Sequence, residues 1–138
     1  MKKMNKQPYE AVDGTKYWYL DQGEHIHWMD EKLHREDGPA IEHPDGCEEW
    51  YFHGERHRKD GPAIFRGPCQ KEWYLNGKQH REDGPAYENE HDDDAKEWWL
   101  DGNEVHPEQI VDLWLSRGVF CYYDEKTKEL IFGGDFEN

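Results

Sequence analysis

The sequence repeats one of its own segments at a fixed distance. Residues 50–63 read WYFHGERHRKDGPA and residues 73–86 read WYLNGKQHREDGPA, so equivalent positions lie 23 residues apart. The second half of the segment also occurs at residues 33–40, as LHREDGPA, and its first half returns at residues 98–102, as WWLDG. Periods of about 20 to 50 residues are typical of arrays in which small structural units stack on one another. The repeat therefore predicts an array of such units.

Each repeat has the composition of two short strands and a loop. Residues 72–75 are rich in strand formers and are followed by Asn76 and Gly77, a pair that accepts the positive φ angles of a hairpin turn. The polar loop that comes next ends in Asp-Gly-Pro, which turns the backbone into a second strand at residues 86–87. The sequence thus predicts a mainly β protein, an elongated antiparallel sheet of stacked hairpins.

Strand alternation sorts the large side chains of the repeats into two columns. The first column is predicted to form the core, and it consists of Trp50, Phe52, Trp73, Leu75, Trp98 and Leu100. The second column consists of Tyr51, Tyr74 and Trp99. Two interpretations of the second column stay open: it covers the opposite face of a thin sheet, or it is an exposed stripe that grips a partner.

These repeats resemble a known family. The 23-residue period, the aromatic strand and the Gly-x-x-His spacing are similar to MORN (membrane occupation and recognition nexus) repeats. The fuller string resembles MORN-like repeat proteins encoded by tailed bacteriophages and giant viruses. The resemblance covers residues 28–102 and implies β-hairpins that act as binding or scaffolding surfaces. Arg35, Arg58 and Arg81 stand where ordinary MORN repeats have a second glycine.

The chain is predicted to form one domain in three parts. Residues 1–29 are a lead-in with capping strands, residues 30–102 are the repeat array, and residues 103–138 are a C-terminal cap. A helix is expected to start near Pro107, since proline is tolerated at the first helical position, and to end near Gly118. Residues 119–123 and 129–132 predict a final hairpin. The helix either caps the sheet or docks a partner.

Composition places the chain among soluble proteins of a reducing compartment. The mean hydropathy of −1.30 is low, but 14% aromatic residues and the strict repeat favour a folded sheet. No apolar run is long enough to span a membrane, and the N-terminal residues do not resemble a signal peptide. Cys47, Cys69 and Cys121 make an odd number, which predicts free, buried thiols and a cytoplasmic protein.

The net charge of −15 is concentrated in the last third of the chain. Residues 1–87 carry 13 Lys and Arg against 17 Asp and Glu, a net of −4, whereas residues 88–138 carry 4 against 15, a net of −11. Part of this charge lies in an acidic loop that contains Asp92, Asp93 and Asp94. Such a field repels nucleic acid and anionic membranes and attracts basic proteins. The three aspartates are therefore predicted to contact a basic partner.

A second set of repeated positions invites a metal hypothesis. It consists of His34, Arg35 and Asp37, of His57, Arg58 and Asp60, and of His80, Arg81 and Asp83. Nitrogen ligands of one zinc lie within about 4 Å of each other, whereas neighbouring repeats are expected roughly 10 Å apart. These residues are therefore predicted to be structural, with each loop hydrogen-bonded to itself and each arginine paired to an aspartate of a neighbouring repeat. No metal and no cofactor is expected.

No motif for catalysis is present in the sequence. The chain has one serine, Ser116, and it lacks a nucleophile elbow and a phosphate-binding glycine loop. We therefore expect a non-enzymatic protein-interaction module that binds a host or viral protein through its sheet face and its acidic end. The main alternative is an acidic inhibitor that mimics nucleic acid and occupies a basic nucleic-acid-binding protein. Sequestration of a nucleotide-like ligand between aromatic residues, and homo-oligomerisation through a sheet edge, stay open.

Overall fold

The computed structural model of the protein describes residues 3–4, 8–21, 32–67, 69–91 and 95–133. The fold is mainly β, as predicted, with one helix in this part of the chain. The strands are β1 (Lys3–Met4), β2 (Tyr9–Glu10), β3 (Lys16–Tyr17), β4 (Leu20–Asp21), β5 (Ile41–Glu42), β6 (Glu48–Glu49), β7 (Tyr51–Phe52), β8 (Glu55–Arg56), β9 (Ile64–Arg66), β10 (Gln70–Glu72), β11 (Tyr74–Leu75), β12 (Lys78–Gln79), β13 (Tyr87–Asn89), β14 (Trp99–Leu100), β15 (Asn103–Glu104), β16 (Cys121–Asp124) and β17 (Glu129–Phe132). Helix α1 (Pro107–Ser116) lies between β15 and β16.

Seven of these strands form one antiparallel sheet in the order β13-β10-β9-β6-β5-β3-β2. Ile64 at the centre of this sheet is 1% exposed, and it stands opposite Glu49 of β6 and Glu72 of β10. Ala63 and Ala86, which end the repeated segments, are fully buried. Their carbonyls accept the N–H groups of Trp50 and Trp73 at 2.7 and 2.8 Å.

The remaining strands of the repeats form a second row of small hairpins, β7 with β8, β11 with β12 and β14 with β15. Each hairpin turns on two residues with positive φ, such as Asn76 at 51° and Gly77 at 81°, as the sequence predicts. Neighbouring hairpins are joined by backbone hydrogen bonds, as where the Gly77 N–H donates to the Arg56 carbonyl at 2.9 Å. These bonds connect the hairpins into a row, although each hairpin is a separate two-stranded sheet.

The tryptophan of each repeat explains why there are two rows and not one. Trp50 donates its N–H to the Ala63 carbonyl at 2.7 Å and accepts the N–H of His57 at 3.1 Å. The loop from His57 to Ala63 consequently leaves the sheet. It separates the strands that pair in the small hairpin from the strands that pair in the large sheet. The predicted unit of two strands thus contains a hairpin and, in addition, the two strands that join the large sheet.

The N-terminal part contributes strands to the large sheet. Tyr9 and Glu10 form the edge strand β2 of the large sheet, because their backbone pairs with Tyr17 and Lys16 of β3. Tyr19 bridges to Leu33, where the chain enters the first complete loop. Residues 22–31, part of the predicted capping region, lie outside the described residues.

The C-terminal prediction is confirmed in its elements. Helix α1 begins after the N-cap His106, which forms a capping box with Gln109, and it carries Pro107 at its first turn. Gly118, with φ at 81°, follows the helix, and β16 and β17 form the terminal hairpin. Ile110 on the predicted apolar face is fully buried. Within the described residues, no helix is long and apolar enough to cross a membrane.

The helix packs against the array, in agreement with the capping interpretation. The indole N–H of Trp114 donates to the backbone carbonyl of Glu82 at 2.6 Å, and the Arg117 guanidinium donates to the Glu82 carboxylate at 2.7 Å. Trp98 of the last repeat meets Tyr123 of the terminal hairpin edge to face, with ring centroids 5.7 Å apart. These contacts close the end of the array over the last repeat.

Candidate functional site

The guanidinium of an arginine lies over a tryptophan ring in each of the three complete loops. The guanidinium carbon is 3.9 Å from the ring centroid for Arg35 over Trp18, 3.9 Å for Arg58 over Trp50, and 3.8 Å for Arg81 over Trp73. A cation over an indole face is worth about 0.5–2 kcal/mol, depending on how far it is desolvated. The arginines that depart from the ordinary MORN pattern thus cover the tryptophans.

The first predicted column is a core only in part. Trp98 is 5% exposed, whereas Trp50, Trp73, Leu75 and Leu100 are half-buried. Phe52 is 38% exposed, so its assignment to the core was wrong. The reason is that Phe52 lies in a hairpin of the second row, and there it packs on the rings of neighbouring histidines.

Each arginine is held by the loop that follows it. In the third loop, Nε of Arg81 donates to Asp83 at 2.8 Å, and Nη1 donates to the Pro85 carbonyl at 3.0 Å. The same two bonds recur in the other loops, from Arg35 to Asp37 and Pro39 and from Arg58 to Asp60 and Pro62. The predicted self-bonding of the loops is therefore present, but the aspartate pairs with the arginine of its own loop and not with a neighbouring repeat.

The glycine of the Asp-Gly-Pro sequence is required by this arginine. A Cβ at Gly84 would lie 2.6 Å from the guanidinium carbon of Arg81, and the equivalent distances at Gly38 and Gly61 are 2.8 Å. Carbon atoms in ordinary contact are about 3.5–4.0 Å apart. The glycine thus lets the loop wrap closely around the guanidinium.

The three histidines of the loops cap the hairpin turns of the following repeat. Nδ1 of His34 accepts the N–H of His53 at 2.9 Å, Nδ1 of His57 that of Asn76 at 2.9 Å, and Nδ1 of His80 that of Asp101 at 3.0 Å. An imidazole that accepts at Nδ1 carries its proton on Nε2. The lone pair that a metal would need is therefore engaged by the backbone, and the histidines join consecutive repeats.

Burial disfavours the charged form of two of these histidines. His34 is 1% exposed, and its burial, together with the nearby His53, lowers its pKa. The pKa of His57 is lowered by burial and by the charge of Lys59. Both rings consequently keep the neutral state that the turn caps require.

The second predicted column forms a half-buried aromatic row, which we define as Tyr51, Tyr74 and Trp99. The polar tip of each donates to a carboxylate two residues upstream, at Glu49, Glu72 and Glu97, over 3.1–3.3 Å. Arg56 ties two members together, since its Nε donates to the Tyr51 hydroxyl and its guanidinium carbon is 5.3 Å from the Tyr74 ring. Burial, and the negative charge of Glu72, raise the pKa of Tyr74. The rings of the row are partly accessible, and their polar tips are held by hydrogen bonds. The row is therefore intermediate between a covering of the sheet face and an exposed stripe that grips a partner.

A groove opens on the tryptophan side of the array, between the second and third loops. Its volume is about 610 Å³, and Trp73 and Leu75 lie along it, with Trp114 of the helix at one side. A smaller cavity of about 360 Å³ adjoins it and shares Arg58 and Trp73 with it. Sequence reasoning missed this groove because the loops that form its walls are polar and Trp73 was assigned to the core.

The predicted acidic contact and the predicted thiols have different outcomes. Asp92, Asp93 and Asp94 lie outside the described residues.

All three cysteines are free, but Cys121 alone is buried, so the expectation of buried thiols at Cys47 and Cys69 was wrong. Both lie beside the turns that end strands of the large sheet, where solvent reaches them.

Comparison with known proteins found no match: no family model, no curated protein and no solved structure matches this chain. The resemblance to MORN-like repeats therefore stays a prediction from the residues.

Proposed function

We propose that the protein is a non-enzymatic, cytoplasmic protein-interaction module that binds its partner through the aromatic row. The observation that carries this proposal is the combination of half-buried rings with hydrogen-bonded tips at Tyr51, Tyr74 and Trp99. Large aromatic side chains that are already ordered lose little conformational entropy on binding, and they dominate the energetics of many interfaces. The three free cysteines suit a reducing compartment.

The charge of the C-terminal part supports a basic partner. The carboxylates of Asp101, Glu104, Glu108, Asp112, Glu125 and Glu129 are all on exposed residues. Apart from a contact between Asp101 and His80, none of them forms an ion pair within the described residues. An unpaired acidic surface speeds the approach of a basic protein and orients it.

The experiment that tests the aromatic row compares capture of a partner by matched variants. We expect Tyr51→Ala combined with Tyr74→Ala to weaken binding of the captured partner by at least about 2 kcal/mol, because both rings would be central anchors. Tyr122→Ala is the control, since Tyr122 is 43% exposed but lies in the terminal hairpin. A folded double variant that binds as tightly as the control would refute the assignment.

A second candidate function is inhibition of a nucleic-acid-binding protein by mimicry of its acidic ligand. The same six exposed carboxylates favour it, since they spread over β14–β15, the helix and the terminal hairpin. Binding dominated by these charges is expected to weaken steeply between about 0.1 and 0.5 M salt. A complex whose affinity does not change over this range would exclude mimicry and leave the aromatic row as the binding surface.

A further inference from the structure

The second loop differs from its two sisters in one ionic contact. Nη1 of Arg35 donates to the Glu42 carboxylate and Nη1 of Arg81 donates to the Glu88 carboxylate, both at 3.0 Å. The equivalent position seven residues after Arg58 is Phe65. Within the described residues, Arg58 therefore has only Asp60 as an ionic partner, although it lies at the same distance over its tryptophan as the other two.

Further exchanges make the surroundings of Arg58 more basic than those of its sisters. Lys59 occupies the position of Glu36 and Glu82, and it is exposed along the groove of about 610 Å³. Lys71 stands opposite Phe65 in the large sheet, and it lines the smaller cavity with Arg58. Arg58 thus lines both cavities, with Lys59 at the larger one and Lys71, whose other neighbour in the sheet is Glu88, at the smaller one.

Apart from Asp60, no described carboxylate near this place forms an ion pair with Arg58, and Glu48 stands opposite Phe65 in the sheet. Asp83 accepts from Arg81, and Glu82 accepts from Arg117, a bond that lowers the pKa of Glu82. Glu48, which lines the smaller cavity, accepts the indole N–H of Trp50 at 3.3 Å. The described acidic groups around Arg58 therefore leave open the place that Glu42 and Glu88 fill in the sister loops.

We propose that this place binds the carboxylate side chain of an acidic peptide segment from a protein partner. The carboxylate would take up the position on Nη1 of Arg58 that a glutamate occupies in the sister loops, with Lys59 and Lys71 at its flanks. An apolar residue beside it in the peptide would rest on Trp73, which lines both cavities.

The sister loops themselves favour a carboxylate over a phosphate. In two of three loops the same guanidinium nitrogen already holds a carboxylate at 3.0 Å, so the loop geometry fits that planar group. Trp73 precedes Tyr74 in the chain and lies on the other side of the strand, so this site is separate from the aromatic row. The two proposals consequently fail or hold independently.

The test uses the blocked dipeptide N-acetyl-Phe-Glu-amide and its neutral analogue N-acetyl-Phe-Gln-amide. Binding to the full chain is followed by NMR, through the indole N–H of Trp73 and the Nε–H of Arg58, at constant ionic strength. We expect saturable shifts with the glutamyl peptide and an affinity at least about fivefold lower for the glutaminyl peptide, as for the loss of one charge-assisted hydrogen bond. The Nε–H signals of Arg35 and Arg81 should not move.

Variants that convert the second loop to the sister pattern provide the decisive control. Phe65→Glu supplies the missing internal carboxylate and is expected to weaken the glutamyl peptide at least about fivefold, whereas Phe65→Leu retains binding. Lys59→Glu, at an exposed position, tests the same site without touching the sheet, and it should weaken binding about two- to threefold. Equal affinities of the two peptides, unchanged binding by Lys59→Glu, equal shifts at all three arginines, or tighter binding of inorganic phosphate than of the glutamyl peptide would each overturn the proposal.

Discussion

Replacement of Gly84 by alanine tests whether the loop has a glycine at this position because it packs closely around Arg81. Gly84 does not have a positive φ, so an alanine at this position would not be placed in the left-handed region. On that ground alone, the substitution should stabilise the protein by about 0.4–1 kcal/mol, because alanine restricts the unfolded chain. The structure predicts the opposite sign, since the new Cβ would lie 2.6 Å from the guanidinium carbon of Arg81.

The magnitude follows from the contacts that the guanidinium would lose. To restore an ordinary separation it must move by about 1 Å. It is held 3.8 Å above Trp73, by Asp83 at 2.8 Å, and by the Pro85 carbonyl and Glu88 at 3.0 Å. Weakening a cation–π contact, one part-buried hydrogen bond and two partly exposed ion pairs costs about 2–3 kcal/mol. After the entropic gain of alanine is subtracted, we expect Gly84→Ala to lower the free energy of unfolding by about 1–2 kcal/mol.

The assay is urea unfolding followed by tryptophan fluorescence, in a cycle with Arg81→Ala. Arg81→Ala removes the group that the new Cβ would strike, so Gly84→Ala is expected to be neutral or stabilising in that background. The coupling between the two substitutions should therefore be about 1–2 kcal/mol. If Gly84→Ala were as destabilising without the arginine as with it, the close packing of loop and guanidinium would not be the reason for the glycine.

Two further predictions concern pH and thiol chemistry. Because burial lowers the pKa of His34 below its ordinary value of 6.5, the unfolded chain binds more protons below that pH, and the free energy of unfolding should fall as the pH drops from about 7.5 to 5.5. Urea unfolding at both pH values checks this, and His34→Gln should reduce the dependence. With iodoacetamide near pH 8, Cys69, whose Sγ lies 2.9 Å from Nε2 of His91, should react before Cys47 and Cys121, since burial raises the pKa of the latter two. Peptide mapping gives the order, and first modification of Cys121 would contradict the structure.

The local elements of the fold could be predicted because each depends on residues that are close in sequence. The hairpin turn at Asn76 and Gly77 needs only two residues that tolerate positive φ, and both adopt it. Helix α1 needs a cap, an initial proline and a periodic apolar face, and all three lie within residues 106–118. The hydrogen-bond partner of a side chain depends instead on where the folded loop places that side chain. The sequence could not distinguish an aspartate that binds the arginine of its own loop from one that binds a neighbour.

By itself, the sequence determined that the chain is a β array of 23-residue repeats closed by a helix and a hairpin, because a repeated pattern of turns and strand formers forces a repeated unit. Tertiary structure decided the rest. It divided the strands into two rows, because the backbone of Trp50 pairs on either side of a loop that leaves the sheet. It also brought position 65 close to Arg58. Because that position holds a phenylalanine, Arg58 lacks, within the described residues, the glutamate partner that Arg35 and Arg81 have. A periodic sequence specifies the structure of each repeat closely. Contacts between residues distant in sequence depend on the path of the whole chain, which the repeat pattern specifies less closely.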